Sequence, residues 1–267
     1  MTPFKKLGSV KQPSQSFVRF YLQMKNRFYA FLTHLLLSGL VATMTIIMVF
    51  FVWYPVPLDK ATGVTEIFLI LLAVDIMMGP FMTLVVYKRG KPGLKFDLFV
   101  IVTLQIAALI FGISTVFVGR PAFIVFNQDR FDIARLVEID VASAKKAELA
   151  GNQLAKSGWL YPQWVAAVAP GDRKRAEEIL FSAIDGGADW PQLPELYVPL
   201  EQVKQQMLNK AKPLSALRKL DKENVLTGEQ DNRLKWLPLR GKVKDMVVLI
   251  DSDTAEIIKV VDINPWP

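Results

Sequence analysis

Three stretches of this 267-residue chain are too long and too apolar to stay in water: Phe28 to Tyr54 holds no charged residue, Ile67 to Tyr87 holds only Asp75, and Leu98 to Val118 holds none. At about 1.5 Å of helical rise per residue, each is long enough to cross a hydrocarbon core of roughly 30 Å. Each predicts a transmembrane helix. The chain accordingly divides into a basic segment (1–27), three spans (28–54, 67–87 and 98–118) and a polar remainder (119–267), which makes it a membrane protein of the α+β class: a three-helix bundle followed by a mixed α/β domain.

The net charge of +7 is confined to the membrane half. Residues 1–118 contain eleven Lys or Arg against four acids, whereas residues 119–267 contain twenty-one of each. The excess sits before the first span (Lys5, Lys6, Lys11, Arg19, Lys25, Arg27) and between the second and third (Lys88, Arg89, Lys91, Lys95). The positive-inside rule then predicts a cytoplasmic N-terminus and second loop, with the first loop and everything after Val118 outside. The basic balance is thus a topology signal, and nucleic acid is not an expected partner. Trp53, Tyr54, Pro55, Val56 and Pro57 do not suit signal-peptide cleavage, so the first span reads as a retained anchor. Too little chain remains inside for a kinase, an ATPase or a DNA-binding module. There is no cysteine, so the exported domain must be held by its core, and thiol catalysis is excluded.

Within the exported part, Ala122–Phe126 and Phe131–Ile139 read as a hairpin, Val141–Ala150 as a short helix and Trp164–Ala169 as a strand. A helix capped by Asp172 runs to Ile184, helices follow at Leu200–Lys210 and Pro213–Leu220, and Met246–Ile250 with Glu256–Asp262 closes the chain as a second hairpin. The acids Asp129, Asp132, Glu138 and Asp140 lie along a strand and its turn, where solvated charges are ordinary. Asp251 and Asp253 lack the glycine and bidentate glutamate of a calcium loop. No catalytic, cofactor or metal residue is assigned.

The spans carry polar or small residues at helical spacing: His34, Ser38, Ala42 and Thr45; Asp75, Gly79 and Thr83; Gln105, Ala108, Gly112 and Thr115. Lipid offers no hydrogen bonds, so these stripes are expected to face protein. Gly79 and Pro80 predict close packing or a kink, and Gly112 close packing. By residue count His34 lies about 9 Å into the first span and Gln105 about 10 Å into the third, so the two could share a layer.

In order and spacing, several segments resemble the inner-membrane type IV pilin accessory proteins. They are His34–Leu37 with Trp53, Tyr54, Pro55, Pro57 and Leu58; Val74, Asp75, Gly79, Pro80 and Thr83–Val86; Leu94–Leu98 with Gln105; Arg120, Pro121, Phe123, Asp129, Arg130 and Phe131. Further along come Tyr197–Pro199, Pro213–Leu217, Trp236–Leu239, Asp245–Leu249, Asp262, Pro265 and Trp266. The resemblance implies a pilin-specific assembly chaperone of the bacterial inner membrane, not an enzyme and without a cofactor. It would stabilise the type IV major pilin through the subunit's transmembrane helix and periplasmic head, with membrane lipid as its other partner. The pilin helix of such systems carries a glutamate in the cytoplasmic leaflet, and His34, Gln105 and, more deeply, Asp75 are the expected contacts. A membrane-anchored periplasmic enzyme acting on pilin or envelope glycan is the alternative.

Overall fold

The computed structural model describes residues 14–221, 224–226 and 233–266. Lys5, Lys6 and Lys11 of the basic segment lie outside them. Helix α1 (Gln15–Ile47) begins well before the charge-free run and continues as a π-helical turn over Met48–Trp53. A short helix α2 (Leu58–Thr62) follows, then α3 (Val64–Val86) and α4 (Leu94–Val118). Three helices are thus long and apolar enough to cross a membrane. Pro80 lies inside α3 without ending it.

The remaining chain builds one mixed sheet from β1 (Pro121–Asn127), β2 (Arg130–Arg135), β3 (Gln163–Ala167), β4 (Tyr197–Val198), β5 (Lys212–Pro213), β6 (Leu234–Arg240), β7 (Met246–Asp251) and β8 (Ile257–Val261). Its order is β4-β3-β1-β2-β6-β7-β8, with β5 also on β6. Strand β1 begins three residues after α4 ends and is buried along its whole length. The period of two sends its side chains to opposite faces. Phe123 and Val125 enter a core with Ile179 of α6 (Arg173–Ile184) and Tyr197, while Ile124 and Phe126 enter another with Leu237, Leu239, Met246, Val248 and Ile250. Helix α6 is capped by Asp172, whose side chain accepts from the Lys174 amide at 3.0 Å, and α5 (Val141–Leu149) is capped by Asp140.

The chain divides into two compact units: residues up to Thr43 with Leu71–Ile110, and Met44–Ile70 with Phe111 onward. The second unit joins the sheet to the loop between the first two spans. Leu58 (3% exposed) and Ala61 (0%) of α2 belong to the core beneath Ile124, Phe126 and the β6–β7 hairpin. The Ala61 carbonyl accepts from the amides of Lys242 and Val243, each at 2.9 Å. Gly63 then turns the chain into α3 with φ +72°, and a Cβ there would collide with Val243. Asp262, near the chain end, binds Lys60 at 3.0 Å and Lys244 at 2.5 Å. Tyr54 donates its hydroxyl to the Val116 carbonyl at 2.8 Å, so the end of the first span is tied to the end of the third.

Because Leu58 fills a closed apolar core, Leu58→Ala should lower the stability of the sheet domain by roughly 2–5 kcal/mol. Thermal unfolding of the full chain in detergent, followed by near-ultraviolet circular dichroism, measures it. An unchanged midpoint would mean that α2 merely lies against the sheet.

Candidate functional site

The first unit holds together differently. Within residues 14–43 and 71–110, only Ala42, Leu72, Gly79, Pro80 and Thr83 are buried. What joins the three helices there is a chain of hydrogen bonds. Gln105 of α4 donates from Nε2 to the Asp75 backbone carbonyl of α3 and to Ser38 Oγ of α1, both at 3.0 Å. Its Oε1 lies 2.8 Å from His34 Nε2, and His34 Nδ1 lies 2.7 Å from Thr83 Oγ1. A backbone carbonyl only accepts, which fixes the orientation of the Gln105 amide. His34 must therefore carry its proton on Nε2, and the Thr83 hydroxyl donates to Nδ1. Both imidazole nitrogens and the whole amide are engaged.

Gly79 completes the clasp by leaving room for it: a Cβ there would overlap the Gln105 amide. The close packing expected at Gly112 is not found, since a Cβ there would meet nothing within 4 Å in this chain. Thr115 likewise turns back on its own helix, donating to the Phe111 carbonyl at 2.9 Å. At the basic end, Arg27 Nε donates at 2.7 Å to the Tyr87 carbonyl just past α3, satisfying an orphan helix-end acceptor.

Beside the clasp lies a partly open cavity of about 240 Å³, lined by His34, Ser38, Asp75 and Gln105 together with apolar side chains such as Leu37, Val102 and Ile106. The three residues expected to meet a partner helix thus line one cleft. They differ in availability. His34 and Gln105 spend their polar atoms on each other and on neighbouring helices, while the half-buried Asp75 carboxyl makes no hydrogen bond or ion pair among the described residues. In hydrocarbon such a group is costly without a donor or a proton.

The other positions singled out from sequence are structural. Arg120 is buried, stacks 4.5 Å from the Phe117 ring centroid and donates to the Gly158 carbonyl at 2.9 Å. Pro121 opens β1, and Phe123 packs edge-on against Tyr197 with centroids 4.9 Å apart. Asp129 and Arg130 pair at 3.4 Å in the β1–β2 turn. Trp236 donates to the Pro213 carbonyl at 3.1 Å and Trp266 to Asp245 at 2.7 Å. Among the acids of the sheet domain, Glu138 holds Arg135 at 2.6 Å and Asp140 accepts from the Ser143 amide at 2.6 Å. Asp251 accepts from Asp253 and Thr254 within its own turn. Among the described residues no three His, Cys, Asp or Glu gather as metal ligands.

Asp132 is the exception in energy. Burial pushes its carboxyl up from 3.8 to about 6, against the opposing pull of Arg130, Arg240 and a hydrogen bond from Asn127.

Taken together, the helices and the sheet define a three-span membrane protein with an appended α+β domain, whose bundle carries a polar clasp and a cleft. Residues 22–63 match the family described as fimbrial assembly protein FimB. The chain is 28% identical over 241 residues to the serogroup E1 fimbrial assembly protein of Dichelobacter nodosus, covering 82% of this chain and 89% of that one. The serogroup I protein of the same organism is 28% identical over 236 residues, with the same coverage. The protein of serogroups C1 and C2 is 34% identical over 103 residues, which span 38% of this chain and 78% of the relative. No solved structure matches the chain significantly. The chain belongs to the fimbrial assembly protein family, the type IV pilus accessory family that its sequence resembles, and its role lies in pilus biogenesis.

Two outcomes test this description. Gln105→Ala should destabilise the bundle by roughly 1–2 kcal/mol, since it removes three interhelical hydrogen bonds worth on average about 0.6 kcal/mol each in membranes. Gly79→Ala should cost stability in the parent and almost none in the Gln105→Ala background, because the atoms it would strike are gone. Thermal midpoints of the four proteins in one detergent close the cycle, and additive losses would separate Gly79 from the clasp.

For Asp132 the folded value exceeds the unfolded one, so its contribution to stability is complete below about 3.8 and is lost as pH rises through about 6. Asp132→Asn should therefore raise the unfolding midpoint at pH 7 and leave it nearly unchanged at pH 4. Melting curves across that range check the sign.

Proposed function

We propose that this chain holds a type IV pilin subunit in the bacterial inner membrane before assembly, with its N-terminus in the cytoplasm and its sheet domain in the periplasm. The carrying observation is the cleft: an apolar, partly open cavity inside a membrane bundle, with one carboxyl that has no partner among the described residues, in a protein of pilus biogenesis. A pilin offers a single apolar helix, and such a helix lying along the cleft would cover the exposed flanks of α1 and α4. Its glutamate would share a proton with Asp75 as a carboxyl pair, which lowers the cost of both groups in lipid. His34 and Gln105 form the wall behind that contact, and either reaches the pilin only by giving up a bond it already has. Asp75 is therefore the first expected contact.

A role without chemistry is supported by the carboxylates of the sheet domain, where Glu138, Asp140 and Asp251 are occupied by caps, turns and an arginine. The charge pattern of the two short basic segments supports the orientation.

Photocrosslinking tests the reading. A photoreactive residue at Val102 or Ile106, both lining the cleft, should capture the pilin in cells, whereas one at Phe111, exposed on α4 outside it, should not. Asp75→Leu should lower retained pilin and surface pili while leaving the level of this protein unchanged. Equal capture from all three positions, or none from the cleft, would falsify the cleft as the pilin site.

A further inference from the structure

The sheet domain carries two loops whose apolar tips are held at the ends of the membrane helices. The first is the bend at Gly158–Pro162. Phe117, in the last turn of α4, packs between Trp53 (ring centroids 5.0 Å apart) and Trp159 (5.9 Å). Buried Arg120 stacks on the same ring and donates to the Gly158 carbonyl, so the bend is pinned to the helix end. Yet Trp159, Leu160 and Tyr161 are 65%, 49% and 55% exposed. Three consecutive large side chains, one apolar and two amphipathic, are thus displayed where α4 leaves the hydrocarbon.

The second is the turn at Gly241–Asp245. Its amides bind the Ala61 carbonyl, and Val243 lies against Gly63, the residue before α3 begins. Val243 is nevertheless 70% exposed and is flanked by exposed Lys242 and Lys244. Surface loops in water are ordinarily polar, and contiguous exposed apolar tips mark a contact. Trp and Tyr favour the headgroup zone, where an apolar ring and a polar atom are both accommodated, and lysine suits lipid phosphate.

We propose that the sheet domain docks on the bilayer surface, with Trp159, Leu160, Tyr161 and Val243 inserted in the headgroup zone and Lys242 facing lipid phosphates. The occupant of both tips is lipid. This adds a second membrane attachment to the three spans and stands whichever side the domain faces and whether or not the cleft holds a pilin.

The absence of cysteine makes the test direct, because one introduced thiol is unique. Leu160→Cys and Val243→Cys would each carry an environment-sensitive fluorophore in the full-length protein, reconstituted in phosphatidylethanolamine and phosphatidylglycerol vesicles. Phe111→Cys on the exposed flank of α4 is the positive control. Asp129→Cys is the negative control, because it sits in the turn at the far end of β1, seven residues of roughly 3.3 Å each from the helix-proximal start. Only labelled proteins that keep the parent's thermal midpoint are compared. The probes at 160 and 243 should show blue-shifted emission and be quenched by lipids spin-labelled near the headgroup, as at 111 and unlike 129. Emission at 160 matching that at 129 would overturn the proposal. So would a blue shift without quenching, which would assign the tips to protein, such as a second copy of this chain.

Discussion

Leu58 and Ala61 lie between two membrane spans in the sequence and inside the sheet core in space. Much of the architecture depends on that insertion. It puts the first loop and the whole sheet domain on one side of the bilayer, because a residue cannot be buried in a domain that the membrane separates from it. It also makes the core of the sheet a joint product of chain segments far apart. The loop supplies Leu58 and Ala61, β1 supplies Ile124 and Phe126, and the C-terminal hairpin supplies Leu237, Met246 and Val248. The surrounding polar bonds, from the Ala61 carbonyl to the Lys242 and Val243 amides and from Asp262 to Lys60, then fix the register of a contact whose main stabilisation is burial.

The half of the bundle that carries the clasp follows the opposite logic. Lipid tails are as apolar as leucine, so helices there gain little by hiding leucine from their surroundings. Few side chains of that unit are buried, and the polar clasp supplies a connection that lipid cannot replace. One amide, Gln105, touches two other helices directly and a third residue, His34, that passes the chain on to Thr83. The Gln105 amide and both His34 nitrogens are engaged, which specifies one arrangement of three helices although little apolar surface is buried.

The three spans were legible because hydrophobicity over twenty residues has no competing explanation, and the α6 start was legible because Asp172 caps it visibly. The clasp was half legible: depth placed His34 beside Gln105, whereas the role of Thr83 and of the Asp75 carbonyl depends on helix rotation, which residue counting does not give. The α2 helix was hidden in an ordinary-looking loop, since five residues carry no periodicity. Strand β6 was hidden by Lys235 and Pro238, which interrupt its apolar run. Proline is tolerated there because β6 pairs with β5 at Lys235–Trp236 and with β2 at Leu239–Arg240 on one flank, and Pro238 falls in the gap between them. Gly112 misled because a small residue on a helix permits a neighbour without requiring one.

The shared core also decides how the domain can be handled in isolation. A secreted fragment beginning at Gly119 would contain every strand of the sheet and still lack two of the side chains at its centre, leaving an apolar hollow where α2 belongs. Such a fragment would need the peptide Pro55–Gly63 grafted to it by a linker or added as a separate strand of synthesis, in the manner of a split protein completed by its missing piece.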